Sequence, residues 1–144
     1  MKKEDLVTIL LGFIPFVIGW IEAYVTTRSH FRFPVLLFCA AGSLIWAYLS
    51  YISVKKNGSA ARTMLLIHIV SVCDLLLLGW QILIMHRHFS GIAGALTQFY
   101  FLPWLSPGFT LAFRASTLLP VYCMSFLVMV ACSYIGCRLA KRKG

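Results

Sequence analysis

The chain alternates long apolar runs with short basic or polar turns. Four of these runs, at about 6–25, 33–54, 64–85 and 117–137, approach or exceed the roughly twenty residues that cross a hydrocarbon core about 30 Å thick. They predict an all-α, polytopic membrane protein: a single domain over 1–144 with four transmembrane helices.

Inside each run the polar and small residues fall at helical spacing. At about 100° per residue, Thr8, Gly12, Pro15, Gly19 and Glu22 share one narrow face of the first run. Gly12 and Gly19 mark it as a packing face, because small residues let a neighbouring backbone approach, and Pro15 marks a kink. Cys39, Ser43, Trp46, Ser50 and Ser53 form a mildly polar stripe on the second run. That stripe reads as ordinary interhelical hydrogen bonding between small residues, the alternative being a meeting with the polar face of the third, where Thr63, Ser71, Asp74, Gln81 and His88 project to about a third of the circumference and read as a continuous strip. Tyr122, Ser125, Met129, Cys132 and Gly136 lie along one side of the fourth.

The segment 89–113, FSGIAGALTQFYFLPWLSPGFTLAF, is apolar enough to count as a further span by hydropathy alone. Pro103 and Pro107 are expected to break its central turns, and Phe99, Tyr100, Phe101 and Trp104 cluster as interfacial aromatics do. The expectation is an interfacial or re-entrant pair of short helices around the FLPWLSP turn, between the third and fourth spans. Such a segment would form a lid over the bundle, with its broken backbone satisfied by protein or by a water-filled cavity.

Charge then sets the topology. Thirteen Lys and Arg stand against four Asp and Glu, an excess that in a soluble chain would suggest nucleic acid. Here the basic residues cluster between apolar runs, so no nucleic-acid partner is expected. Under four spans, nine of them (Lys2, Lys3, Lys55, Lys56, Arg62, Arg138, Lys141, Arg142 and Lys143) fall on the side of both termini, and Arg28, Arg32, Arg87 and Arg114 fall opposite. The bias predicts both termini in the cytoplasm of a cell-membrane protein. Lys2 and Lys3 ahead of an apolar run imitate a signal peptide, but Glu22 stands where a small-residue cleavage site belongs, so the run is read as retained. A mean hydropathy of +0.87 with 60% hydrophobic and 12% charged residues excludes a soluble domain. The five cysteines fall within the runs without a CxxC spacing and read as reduced, structural residues.

Candidate chemistry narrows to the membrane acids. Asp74 lies near the centre of the third run, where a charge costs roughly 2.5–3.5 kcal/mol on insertion scales. The run inserts on the strength of its Leu, Ile and Val, and Asp74 must face protein or water. Asp74, Ser71, Gln81 and the more peripheral Glu22 form the candidate polar site. The chain has no GxSxG, phosphate loop, HExxH or paired acidic cluster, so enzymatic activity is not expected. His68 points about 120° away from Asp74 on an ideal helix, which does not support a direct relay. His86 and His88 point to different sides, and neither a metal nor a cofactor is expected. Four spans with one membrane acid resemble the small multidrug exporters in architecture alone. Those carry the acid in the first span and have no counterpart of 89–113, so no residue is carried over.

Two functions are consistent with this pattern. One is an accessory or binding subunit that contacts a membrane-protein partner, or a second copy of itself, through the glycine face and the FYFLPWLSP segment. The other is a small transporter or channel subunit in which Asp74 couples to a proton or cation.

Overall fold

Pro15 lacks an N–H and cannot close the helical bond to Leu11, so the first span is two helices in series, α1 (Lys3–Leu11) and α2 (Ile14–Arg28). The computed structural model describes residues 3–28, 35–86, 92–112 and 118–142. Beyond α1 and α2, these hold α3 (Val35–Asn57), α4 (Ala60–Leu83), α5 (Ile92–Leu111) and α6 (Leu119–Arg142). Lys2, Arg32, Arg87, His88, Arg114 and Lys143, all used in the sequence reading, lie outside the described residues.

The described chain is all-helical. Four of its stretches, α1 with α2, then α3, α4 and α6, are long and apolar enough to span a membrane. Their ends extend past the apolar runs to include Lys3, Lys55, Lys56, Lys141 and Arg142. Helical hydrogen bonding continues into the headgroup region, whereas hydropathy registers the hydrocarbon alone.

Antiparallel packing begins at the tight turn between α3 and α4. Gly58 takes a left-handed φ of +69° and donates its N–H to the Val54 carbonyl at 2.8 Å, and Ser59 caps α4 by accepting from the Arg62 N–H. Around this turn Asp5 pairs with Arg62 at 2.6 Å, while the Asn57 amide donates to Thr8 Oγ1 at 2.9 Å. Ala60 and Met64 of α4 share a groove with Arg138 and Lys141 of α6. The start of α1, the α3–α4 turn and the end of α6 therefore meet at one basic end.

The faces read from periodicity point inward. Thr8, Gly12, Pro15, Gly19 and Glu22 are all buried, and so is Asp5, one step further along the same face. Trp46, Ser50 and Ser53 are buried on α3; Tyr122, Ser125, Met129 and Gly136 are buried on α6. A Cβ on Gly136 would overlap the Ala47 carbonyl, so these two helices touch backbone to backbone. Leu10, Val17, Leu37, Leu44, Leu65, Leu76, Leu127 and Ile135 face outward, as lipid-facing residues do. The α3 stripe meets α5 and His68 rather than Asp74: Trp104 Nε1 donates to Ser43 Oγ at 3.1 Å, and Trp46 packs edge-on against His68.

A fifth, shorter helical element lies between the third and fourth long helices, as expected, but its internal form differs. In place of two short helices around a turn, α5 runs as one helix through both Pro103 and Pro107. Its aromatic residues Tyr100, Phe101 and Trp104 are almost wholly buried among the other helices, and Phe99 is half-buried. It fills the half of the bundle away from the basic end, touching α2 at Gly19, α3 at Gly42 and α6 at Val121 and Ser125. α4 leaves the basic end and α6 returns to it, so the chain enters and leaves α5 from the opposite end.

α2 makes room for what Pro103 releases. Pro103 frees the Phe99 carbonyl, and that carbonyl sits where a Cβ on Gly19 would be. On α6, Ser125 Oγ lies 3.0 Å from the Trp104 carbonyl of α5 and 2.9 Å from the Val121 carbonyl of its own helix, so one hydroxyl proton is shared between the two.

Gly136→Leu is expected to destabilise the bundle by about 1–3 kcal/mol or more by forcing α3 from α6. Gly79→Leu, with open space at its Cβ position, is expected to be near neutral. Thermal unfolding of both variants in the same detergent checks the contrast.

Candidate functional site

The site is built outward from the break in the first span. Around Pro15 the backbone tightens into three-residue turns, with Gly12 N–H donating to the Ile9 carbonyl at 2.9 Å and Phe16 N–H to the Phe13 carbonyl at 3.1 Å. Phe16 would donate to Gly12 in a regular helix, so the Gly12 carbonyl is released. The Tyr100 hydroxyl donates to it at 2.8 Å. A freed carbonyl of one span is thus satisfied by a side chain 88 residues away.

Proton counting orients the rest of the chain. Tyr100 has one hydroxyl proton, given to Gly12, so Ser71 donates to Tyr100 Oη across 2.8 Å. Ser71 Oγ lies 3.5 Å from His68 Nδ1, and His68 Nε2 lies 3.0 Å from Ser133 Oγ. These roles are consistent with a proton on His68 Nδ1 and with Ser133 donating to Nε2. The imidazole is held edge-on between Trp46 and Phe126, with centroids 5.7 and 5.6 Å away. One polar layer therefore ties the α1–α2 break to α5, α4 and α6.

Asp74 lies one helical turn beyond Ser71. It is half-buried, its Oδ2 is buried without a hydrogen-bond partner, and it lies within electrostatic reach of Tyr100 and Tyr122. Glu22 is buried, has a partnerless Oε2 and acts instead on Cys39 of α3. No basic side chain among the described residues pairs with either acid. Asp5, at the basic end, is paired with Arg62.

The four candidate polar residues do not converge. Ser71 is bonded to Tyr100 in the polar layer, and Asp74 lies beside it. Gln81 is buried a further two turns along α4, and Glu22 is buried on α2. The polar strip of α4 is not continuous either: fully buried Ile67 separates Thr63 from Ser71, and fully buried Leu78 separates Asp74 from Gln81. Gly12 and Gly19 lie against α4 and α5, at Ile67 and Phe99. Among the described residues no group of three His, Cys, Asp or Glu could hold a metal ion.

Sequence reasoning missed the two groups that organise this layer. In the sequence Tyr100 reads as one of a cluster of interfacial aromatics, because its partners are distant along the chain. The angle of His68 to Asp74 gives no sign of its role, whereas its spacing of three from Ser71 is a local signal.

Tyr100→Phe leaves the Gly12 carbonyl without its donor and Ser71 without its acceptor. A loss of about 1–2 kcal/mol is expected. Tyr48→Phe, at a residue that is 62% exposed, is expected to have no effect. Chemical denaturation in matched detergent checks the pair.

Comparison of the chain with protein-family models, curated proteins and solved structures finds no match, so a functional reading rests on the site itself.

Proposed function

We propose that this chain is a multi-pass protein of the cell membrane, with both termini cytoplasmic, that works as a small transporter or channel subunit through proton exchange at Asp74. The observation that carries the reading is the buried, partnerless Asp74 Oδ2 beside Tyr100 and Tyr122. A carboxylate in an apolar bundle without a basic partner needs a proton or a bound cation as its counter-charge. The phenols beside it are far from the six or more oxygens that hold a calcium ion, so the proton is favoured.

The mechanism follows from what lies next to the acid. Loss of the Asp74 proton places a negative charge near Tyr100, the residue that ties α5 to the break in the first span. Charge at Asp74 then biases how α5 sits in the half of the bundle it fills, which makes α5 the gating element. The basic end, holding Lys3, Lys55, Lys56, Arg62, Arg138, Lys141 and Arg142, supports a cytoplasmic placement.

An accessory subunit is the second reading. The glycine face and the aromatic segment that first suggested it are occupied inside the chain. Its remaining support is a groove of about 390 Å³ on the outer side of α3 and α6, lined by Leu44, Tyr48 and Leu139, which suits a partner helix.

Asp74→Asn in proteoliposomes is expected to lower proton flux about tenfold or more, and Asp74→Glu to retain part of it. Full flux in the Asn variant overturns the proton reading. Native mass spectrometry of the gently extracted protein, run alongside, separates the two functions: a stable heteromer favours the subunit reading.

A further inference from the structure

We propose that the groove between α1 and α3 at the basic end is a binding site for the headgroup of an anionic glycerophospholipid. The groove holds about 250 Å³, with Lys3, Glu4 and Lys56 among its lining residues and Val7 and Ile52 as apolar wall. Its buried side carries Ser53, which is 1% exposed and whose hydroxyl has no hydrogen-bond partner. Serines on helices ordinarily return their hydroxyl to the preceding turn, as Ser50 does to the Trp46 carbonyl at 2.9 Å three residues earlier. Ser53 does not, so an acceptor or donor brought into the groove is what its hydroxyl lacks.

The occupant follows from the chemistry of the lining. Lys3 and Lys56 suit a phosphodiester, while Lys55 is held apart over the Tyr51 ring at 5.2 Å. Glu4 on the same lining accepts hydrogen bonds and selects a headgroup that carries hydroxyls, such as glycerol. The apolar walls continue toward the lipid-facing surface, where Val7 is 39% exposed, which gives an acyl chain a path that a free anion would not use. Anionic lipids enriched in a cytoplasmic leaflet would meet this end of the molecule.

The test is native mass spectrometry of the full chain with added dioleoylphosphatidylglycerol or dioleoylphosphatidylcholine. The wild type is expected to retain one phosphatidylglycerol at activation energies that strip phosphatidylcholine. The Lys3→Ala/Lys56→Ala variant is expected to bind phosphatidylglycerol about tenfold more weakly or worse, and Ser53→Ala about threefold more weakly. Arg138→Ala/Lys141→Ala, at the same end but outside the groove, is expected to change little, with circular dichroism confirming the fold of each variant. Equal retention of both lipids by the wild type, an equal loss in the Arg138/Lys141 variant, or displacement of the lipid by inorganic phosphate would each overturn the assignment.

Discussion

In hydrocarbon every backbone N–H and C=O must find a partner within the protein, and this bundle places three prolines inside its apolar elements. What two of them release shapes how the helices meet. The break at Pro15 frees the Gly12 carbonyl, and Tyr100 of α5 donates to it. Pro103 frees the Phe99 carbonyl, and the missing side chain of Gly19 makes room for it. Ser125 of α6 reaches the Trp104 carbonyl of the same helix. The interruptions at Pro15 and Pro103 are thereby points where one helix meets another, and α5 takes part in both.

This dependence explains what was legible in the sequence. The inward faces of α1 with α2, of α3 and of α6 could be read from spacing alone, because a lipid-facing helix must segregate its small and polar residues toward its neighbours. Asp5 extends that face by the same rule, although it sat before the apolar run and was not counted. α5 could not be read this way. Locally its prolines argue for a break and its aromatics for exposure at an interface, whereas helices distant in sequence make room for the Phe99 carbonyl and bury the rings. The Tyr100 site belongs to that class of information: the spacing along α4 exposes Ser71 and Asp74, but nothing local says which residue will meet them.

The acids divide along the same lines. Asp5 lies where a basic turn can reach it and is paired with Arg62, so it acts as a fastening of the α1 end to α4. Asp74 and Glu22 lie in the part of the bundle whose described neighbours are serines, tyrosines, cysteines and apolar rings. A structural role would be served by a neutral side chain of similar shape, whereas an ionisable group without a counter-charge retains the capacity to change state. That asymmetry between the fastened acid and the two unfastened ones is why attention falls on the interior.

The dependence of α5 on distant partners has a consequence for biogenesis. Its contacts join residues 61 and 88 positions apart at Ser43 and Gly12, and it begins only after three of the four long helices have been synthesised. The earlier helices can enter the bilayer on their own apolarity, but α5 has no stable place until they have gathered, and its partner Ser125 emerges from the ribosome later still. The nascent protein therefore passes through a stage in which the bundle is open at its centre, with the Gly12 carbonyl and the Asp74 carboxylate facing whatever occupies the space. Closure of that space waits on α5 and on Ser125 of α6, the elements the ribosome delivers last.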